Sequence, residues 1–374
     1  MIYLDNAATT FPKPRRVCDE VLRAISEYGG NPGRGAHPLS LAAAEKIYAC
    51  REALASFLGL NAPERVIFTL NTTHALNIAI KGFLRAGDHV LISELEHNAV
   101  RRPLARLAAE KDVTFDTFPV LGLTSPELLR DIERRIKPTT RAVICTHASN
   151  ICSVVLPLAA IGRLCRRHSL TFLVDGAQSA GHIPIDMQGM QIDALAVPGH
   201  KSLYGIQGCG ALLLGNDFLP APLLDGGSGA NSMLAEMPLE PPERFEAGTL
   251  PTPAIAALLE GVRSLENGHM QEIHARECLL FTALRERLQA LRDMRIYAPE
   301  HEGAVLLFSH RTIPAAEIAR LLSSRGICVR AGLHCAPLAH AALGTPEGGA
   351  VRVSFGRYNT LSDTDALYRA LGEL

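Results

Sequence analysis

Two ionisable side chains, Asp175 and Lys201, each follow a short apolar run of the strand type. The runs are TFLVD (171–175) and ALAV (194–197), the second continued by PGHK. A carboxylate at the end of a buried strand is costly unless a cation lies beside it. Such a cation exists in the protonated ring of pyridoxal phosphate, which takes an aspartate partner and a Schiff-base lysine. The pair therefore predicts a pyridoxal phosphate site, with a turn residue and a solvated strand end as the plainer alternatives.

More polar side chains follow the neighbouring strand-like runs. They are Thr72 and Thr73, His97 after Glu96, Asn150, Gln178 and His200. The stretch NTTHALN (71–77) combines a helix start, free N–H groups and threonine hydroxyls, which together suit an anion such as a phosphate. An ordinary helix cap explains the threonines as well. A nucleotide is disfavoured, because neither G-x-x-x-x-G-K-[ST] nor G-x-G-x-x-G follows the first strand.

The elements that must position these side chains alternate between strand and helix. Between about residues 64 and 215, apolar runs such as RVIFTL and DHVLIS are followed by segments with helical spacing. This alternation predicts an α/β fold whose mainly parallel sheet is covered by helices on both faces. Ligands bind such sheets beyond the carboxyl ends of the strands. The polar side chains are therefore expected to meet at one edge.

Two domains are expected from the length of 374 residues, since single cores rarely grow beyond about 250–300 residues. Residues 221–253 are rich in Gly, Pro and Ser and predict a long surface segment, and the tail from about 295 has strands and helices of its own. We assign residues 16–255 to a large domain that binds the cofactor. Residues 1–15 and 256–374 are assigned to a smaller α+β domain.

Composition narrows the partners. The chain has 37 Lys and Arg against 38 Asp and Glu, and this near-neutral balance disfavours nucleic acid and membrane surfaces as partners. No apolar run approaches the roughly 20 residues needed to cross a bilayer, and no secretory signal is recognisable. Nine scattered cysteines without a C-x-x-C pair argue against a disulfide framework and favour the cytoplasm. No metal site is expected.

Several motifs in fixed order resemble the class V aminotransferase family of fold-type I pyridoxal phosphate enzymes, and within it the cysteine desulfurases. The likeness covers nearly the whole chain, and it implies the fold of that family, in which helices sandwich a mainly parallel seven-stranded sheet and a smaller α+β domain follows. Its motifs are YLDNAATTFPKP at 3–14, GRGAH at 33–37, EHNA at 96–99, VDGAQSAGHIPID at 174–186, GHKSLYGIQGCG at 199–210, FEAGT at 245–249, RAGLHCAP at 330–337 and RVSFGRYNT at 352–360. The short GLHCAP segment is more similar to the second desulfurase group, which includes selenocysteine lyases, than to the first.

The resemblance implies a role for each matching position. Lys201 would form the Schiff base and move protons, Asp175 would keep the pyridine nitrogen protonated, and His97 would stack on the ring. Asn150 and Gln178 would hydrogen-bond the ring's phenolic oxygen. The phosphate would be bound by Thr72, Thr73 and His200, and by Thr249 reaching a neighbouring subunit, which implies a homodimer with shared sites.

The substrate side of the site follows from the same resemblance. Arg352 would clamp the carboxylate of L-cysteine or a related amino acid, with Arg330 nearby. Cys335 would attack the substrate sulfur, keep it as a persulfide and leave L-alanine. Cations beside the thiol, from Arg330 and His334, would favour its thiolate form. Taken without the resemblance, Cys335 is one of nine cysteines that could be inert.

Neither the substrate nor the sulfur acceptor is fixed by these residues. A selenocysteine lyase, a cysteine sulfinate desulfinase or another β-lyase would use the same cofactor, and a scaffold could carry sulfur without turnover. A hydrolase built on Cys335 and a histidine would leave Lys201 and Asp175 without a role. A sulfur-acceptor protein is one candidate partner, and the sequence leaves open whether the sulfur serves iron–sulfur clusters, thiolated nucleosides or another product.

One position departs from the family pattern. Pro198 stands where the family usually has a hydroxyl residue, so one phosphate contact is missing, and proline has no N–H to replace it. Two further residues, Arg34 and His37, are candidates for the site entrance, although a solvated loop explains them almost as well.

Overall fold

The computed structural model describes residues 1–33, 35–215, 217–229, 233, 235–298, 300–301 and 303–374. Within them the strands are β1 (Ile2–Tyr3), β2 (Val66–Thr69), β3 (His89–Ser93), β4 (Thr114–Phe118), β5 (Thr140–Thr146), β6 (Thr171–Asp175), β7 (Ala194–Pro198), β8 (Gly210–Leu214), β9 (Met294–Tyr297), β10 (Val305–His310), β11 (Ile327–Cys328), β12 (Arg330–Gly332) and β13 (Ala350–Ser354).

The helices in the same residues lie between these strands. They are α1 (Arg15–Ser26), α2 (Pro38–Phe57), α3 (Thr72–Phe83), α4 (Asn98–Lys111), α5 (Ser125–Arg134), α6 (Leu158–Arg167), α7 (Thr252–Arg263), α8 (His269–Gln289), α9 (Ala315–Ser324), α10 (Pro337–Leu343) and α11 (Leu361–Gly372), with a short 3₁₀ turn at Pro63–Arg65. Among the described residues, no helix is both long and apolar enough to cross a membrane.

A seven-stranded sheet carries the large core. Its strand order is β2-β8-β7-β6-β5-β3-β4, and every neighbouring pair is parallel except those that β8 makes with β2 and β7. The predicted α/β class and the mainly parallel seven-stranded sheet are thus confirmed. The register sets Thr146 beside Asp175, and Asp175 beside Ala196, so the carboxyl ends of the three central strands are level.

The strands are apolar throughout because both faces of the sheet are buried. Along β5, Val143 and Cys145 point into one core cluster, and Ala142 and Ile144 into the other. This explains why the central strands were readable from sequence as continuous apolar runs. The edge strand β4, with the sequence TFDTF, is mostly half-buried and lacks that signature, and it was not predicted.

A second, four-stranded sheet of order β12-β13-β10-β9 is antiparallel throughout and has its own core with α8, α9 and α11. The chain start joins this region, since β1 pairs with β11 and Leu4 lies in the same core cluster. The exact domain division at residues 15 and 255 stays a prediction.

A buried ion pair anchors the later part of the Gly- and Pro-rich segment 221–253. Arg51 on α2 and Glu246 contact each other through both guanidinium nitrogens, and Glu246 Oε1 also accepts from the Phe68 backbone N–H at 2.6 Å. Both side chains are over nine-tenths buried. Removing one partner from such a pair leaves an uncompensated buried charge.

We therefore expect Glu246→Ala to lower the free energy of unfolding by about 3–5 kcal/mol. Urea unfolding at fixed protein concentration measures the change. The exposed Glu236 offers the matched control, because Glu236→Ala removes the same side chain from solvent-facing backbone. A Glu246→Ala variant as stable as Glu236→Ala would contradict the anchoring role.

Candidate active site

The carboxyl ends of the strands meet at one cavity of about 520 Å³. Eight of the nine predicted cofactor-binding residues line it, namely Thr72, Thr73, His97, Asn150, Asp175, Gln178, His200 and Lys201. They come from loops and helix starts that follow different strands, so the fold alone brings them together. The sequence prediction that strand-end residues converge on one edge is confirmed for this set.

Asp175 and Lys201 determine the electrostatics of the cavity. Asp175 is 2% exposed, and burial raises the pKa of its carboxyl, although its Oδ1 accepts from the Ala177 N–H at 2.9 Å. Burial lowers the pKa of Lys201 to about 8, against the favourable charge of Asp175. Burial therefore makes the charged form of each group less favourable than it is in water. A cationic ring nitrogen beside Asp175 would favour its ionised form.

His97 begins α4 as its N-cap, with Nδ1 accepting from the Ala99 N–H at 3.0 Å. Burial lowers its pKa to about 4, and the charges of Lys201 and Arg102 act in the same direction. The imidazole is neutral at pH 7. A neutral, flat ring fixed by a backbone hydrogen bond is suited to stacking on an aromatic cofactor.

The phosphate end of the cavity holds two buried atoms without partners in the structure. These are Thr72 Oγ1, at the first residue of α3, and His200 Nδ1. Buried polar atoms left unpaired are costly, so they mark a place where a ligand completes the hydrogen bonding. The helix start adds free N–H groups and a positive dipole end. Pro198 also lines the cavity and supplies no hydroxyl there.

These observations fit pyridoxal phosphate. The unpaired atoms of Thr72, at the α3 start, and of His200 suit its phosphate. The buried carboxyl of Asp175 suits its ring nitrogen, and the amine of Lys201, with its lowered pKa, suits its aldehyde. Neutral amine is the form that attacks a carbonyl, and a pKa near 8 leaves about a tenth of it neutral at pH 7.

Arg352 lies on β13, 3% exposed, opposite Arg330 on β12. One Nη donates to Asp5 Oδ1 at 2.7 Å and the other to the Asn150 carbonyl at 3.0 Å, while Nε has no partner. The Asp5 carboxylate and the Asn150 carbonyl therefore fix the guanidinium plane and leave N–H groups for an anion. The Asp5 contact was not foreseen, although the motif YLDNAATT contains that residue.

Cys335 is exposed and lies at the wall of a second cavity that shares Thr73, His97 and Ala99 with the first. Its carbonyl accepts from the Asn98 N–H at 2.7 Å. The loop is also held by Asn150 Nδ2, which donates to the His334 carbonyl at 2.8 Å. The thiol therefore sits beside the candidate cofactor site rather than within it.

The predicted role of His334 as a cation beside the thiol is wrong. Its side chain is buried and stacks on His340, with the two ring nitrogens 3.1 Å apart. Burial lowers its pKa to about 3, and the charge of Arg352 adds to this, so the ring is neutral at pH 7. Its function is to shape the loop, whose residues 334 and 335 both have positive φ.

Two predicted residues lie apart from this cavity. Thr249 lines a separate cavity near Gly227 and Glu246, so within one chain it does not meet the other phosphate ligands. His37 lines the same cavity and caps α2, accepting from the Ser40 N–H at 3.3 Å. Arg34 lies outside the described residues.

Sequence reasoning assigned no role to Glu96. This carboxyl is fully buried beneath the cavity, and burial raises its pKa to about 8 despite hydrogen bonds from Ser93 and the Thr146 N–H. It therefore carries a proton at pH 7. The sequence gives no sign of this, because an acid three residues after a strand end can face solvent equally well, and its burial and protonation depend on packing that only the structure shows.

Comparison with known proteins identifies the family of this chain. The sequence model of the Aminotransferase class-V family matches residues 2–367. The chain belongs to this family. A probable cysteine desulfurase of Methanothermobacter thermautotrophicus is 32% identical, over 100% of this chain and 94% of its own. A second, from Mycolicibacterium paratuberculosis, is 33% identical over 99% of this chain, which spans only 55% of that longer relative.

Among solved structures, the apo cysteine desulfurase of Thermococcus onnurineus NA1 superposes with a TM-score of 0.91 at 30% identity. The alignment covers 100% of this chain and 94% of that one. The family resemblance predicted from the motifs is therefore confirmed, and the fold is shared along the full length.

The amine of Lys201 in cofactor-free protein should become reactive at lower pH than an exposed lysine. Only the neutral amine is acylated, so trace acetylation followed by mass spectrometry should give a Lys201 profile with a midpoint near pH 8. Asp175→Asn should move that midpoint lower still, because the Asp175 charge raises the Lys201 pKa. The exposed Lys111 is the internal comparison. Coincident Lys201 and Lys111 profiles would refute the assignment.

Proposed function

We propose that this protein is a pyridoxal phosphate-dependent cysteine desulfurase that converts L-cysteine to L-alanine and receives the sulfur on Cys335 as a persulfide. The observation that carries the proposal is an exposed thiol in a cavity that shares Thr73, His97 and Ala99 with the cavity of Asp175 and Lys201. Family membership and the desulfurase names of full-length relatives support it.

The residues that would hold the cofactor are those of the 520 Å³ cavity. Thr72, Thr73 and His200 would bind the phosphate, Asn150 and Gln178 the phenolic oxygen, and His97 would stack on the ring. Gln178 Nε2 is oriented by donating to the Ala7 carbonyl at 3.0 Å. When bound, pyridoxal phosphate acts as an electron sink that stabilises negative charge on the substrate carbon.

The protein's own groups divide the remaining work. Lys201, once displaced by the substrate amine, is a buried base with a pKa near 8, matched to taking and returning protons at neutral pH. Arg352 binds the substrate carboxylate through its unused N–H groups. His97 stays neutral, so it excludes water from one ring face without adding charge.

Cys335 performs the sulfur transfer. Its thiolate attacks the substrate sulfur, an S–S bond forms and the C–S bond breaks, and the electron pair of the broken bond stays with the substrate carbon. Protonation of that carbon gives alanine, and the enzyme keeps one sulfur atom as a persulfide. Atoms and electrons balance without an external oxidant.

The position of Thr249 supports a homodimer. It lies away from its own chain's phosphate site, on a segment anchored by Glu246, where a second chain is needed to bring a phosphate within reach. We propose that each site takes Thr249 from the neighbouring subunit, and that the dimer acts in the cytoplasm.

Cys335→Ala tests the reaction. The variant should keep the absorption of the bound cofactor, but produce alanine from L-cysteine at least about a hundredfold more slowly, since the sulfur no longer has a nucleophile to accept it. Alanine and sulfide are quantified with dithiothreitol present. Cys18→Ala removes the other exposed cysteine and should behave as wild type.

A Cys335→Ala variant that released sulfide from cysteine at the wild-type rate would disprove the persulfide mechanism. Full activity of the variant on selenocysteine or cysteine sulfinate alone would point to the lyase or desulfinase alternative, because those leaving groups depart without a thiol's help. A protein that binds the cofactor but turns over none of the three would be a carrier scaffold.

The groove that leads to Cys335 indicates the chemistry of the sulfur acceptor. Positions spaced by four residues line it from two helices: Thr73, Asn77 and Lys81 on α3, and Asn98, Arg102 and Arg106 on α4. Residues at this spacing share one helix face. The lining residues, all within the described part of the chain, include three cations and no carboxylate, although Arg106 also contacts Glu110 at 2.7 Å.

We infer that the acceptor presents its cysteine on an acidic segment. The groove is positive along its length, both helix starts add positive dipole ends at the thiol, and such a field speeds the approach of an anionic partner. The persulfide at Cys335 stands at one end, where an incoming thiol can attack it.

Charge reversal tests this inference. Arg102→Glu/Arg106→Glu should slow sulfur transfer to a synthetic acidic cysteine peptide by about tenfold or more at low salt, and by less at high salt. Turnover with uncharged dithiothreitol should not change. Arg311→Glu/Arg320→Glu makes the same charge change on exposed arginines of the smaller sheet region. Equal transfer to acidic and basic peptides by the wild type would contradict the inference.

A further inference from the structure

A cluster of three metal-ligating side chains lies outside the site described above. His182 belongs to the loop after β6, and His274 and Glu277 lie three residues apart on one face of α8. One ligand atom from each lies within 4.8 Å of the others. His182 and Glu277 are buried and His274 is half-buried. Nothing in the sulfur-transfer reaction uses these residues.

Glu277 has one carboxylate oxygen without a hydrogen-bond partner among the described residues. Its Oε2 is buried and lies 2.8 Å from His182 Nδ1, but the contact does not have hydrogen-bond geometry. A buried carboxylate oxygen without a donor is costly. A cation placed between the carboxylate and the imidazoles would remove that cost, which is the arrangement that metal sites provide.

The two imidazole rings also lie close to each other. Their rings are nearly perpendicular at 82°, with centroids 4.5 Å apart, and His182 Nε2 lies 3.1 Å from His274 Nδ1. Two nitrogens bound tetrahedrally at about 2.0–2.1 Å from one zinc ion are separated by about 3.3 Å. The Glu277 contact uses Nδ1 of His182 and the His274 contact uses Nε2, so the His182 ring has to turn before one of its nitrogens faces an ion that also contacts both partners.

The surroundings leave room for further ligands. The three side chains line a cavity of about 730 Å³ whose walls include Asn6, Ser149, Ser202 and Ser354. Water held by such polar groups completes the coordination of open His and carboxylate sites. The cavity also borders Gln178, but it is distinct from the one that contains Lys201.

We propose that His182, His274 and Glu277 bind one divalent transition-metal ion of the zinc class. Two imidazoles and one carboxylate suit Zn²⁺, Co²⁺ or Fe²⁺ and not Ca²⁺ or Mg²⁺, which take oxygen ligands. The ion joins α8 to the loop behind Lys201. That loop, which follows β6, lies directly against the segment after Lys201, because a Cβ at Gly181 would lie 2.3 Å from the Ser202 carbonyl oxygen.

The proposal is tested on purified full-length protein freed of metal with a chelator and titrated with Zn²⁺. Wild type should bind one equivalent more than His274→Gln, or bind that equivalent at least about tenfold more tightly. The same equivalent should raise the melting temperature of wild type. His269→Gln changes an exposed histidine five residues earlier on the same helix and should match wild type.

Glu277→Gln provides a second variant, and it should lose the Zn²⁺-dependent rise in melting temperature as His274→Gln does. Co²⁺ titration adds a spectroscopic readout, in which the wild-type visible bands should be those of nitrogen and oxygen ligands and should be absent from His274→Gln. Identical stoichiometry and affinity in wild type and His274→Gln would overturn the proposal and leave a plain hydrogen-bonded cluster. None of these readouts depends on desulfurase activity.

Discussion

The site depends on one constraint: a carboxylate and an amine are buried at the ends of neighbouring strands without a direct ion pair between them among the described contacts. Burial raises the pKa of Asp175 and lowers that of Lys201 to about 8. Burial therefore disfavours the charged form of each group, and the apolar core of the sheet offsets that cost. A charged heterocycle with an aldehyde relieves both conditions at once, because it supplies the missing cation and consumes the neutral amine.

Burial also explains which parts of the fold could be predicted from the sequence. Central strands such as β6 and β7 are buried on both faces, so their apolar runs and the polar residues after them could be read directly. The edge strand β4 has a half-buried, mixed sequence and gave no such signal. The orientation of β8, antiparallel to both neighbours, depends on how the chain returns after Lys201, which periodicity does not encode.

The site shows the same division. Lys201, Asp175 and the residues around them follow from the rule that strand ends carry the chemistry. His334 was misjudged because its type suggested a cation, whereas its burial against His340 fixes it as neutral. The cluster of His182, His274 and Glu277 could not be predicted, because His182 is far in the chain from the other two. Only the packing of α8 on the loop after β6 brings them together. Contacts of this kind depend on tertiary structure.

The loop that carries the thiol decides how sulfur must travel. Its carbonyls at residues 334 and 335 are held by Asn150 and by the start of α4, and the stacked rings of His334 and His340 stiffen it further. A loop fixed in this way cannot carry a persulfide far into solution. Under the proposed function, the cofactor and Arg352 would bring the substrate sulfur to Cys335, and the acceptor would approach the protein surface. The positive groove between α3 and α4 opens at that point, so the short anchored loop and the charged groove are two parts of one arrangement. A longer, mobile loop would deliver sulfur outward and would have no need of such a groove.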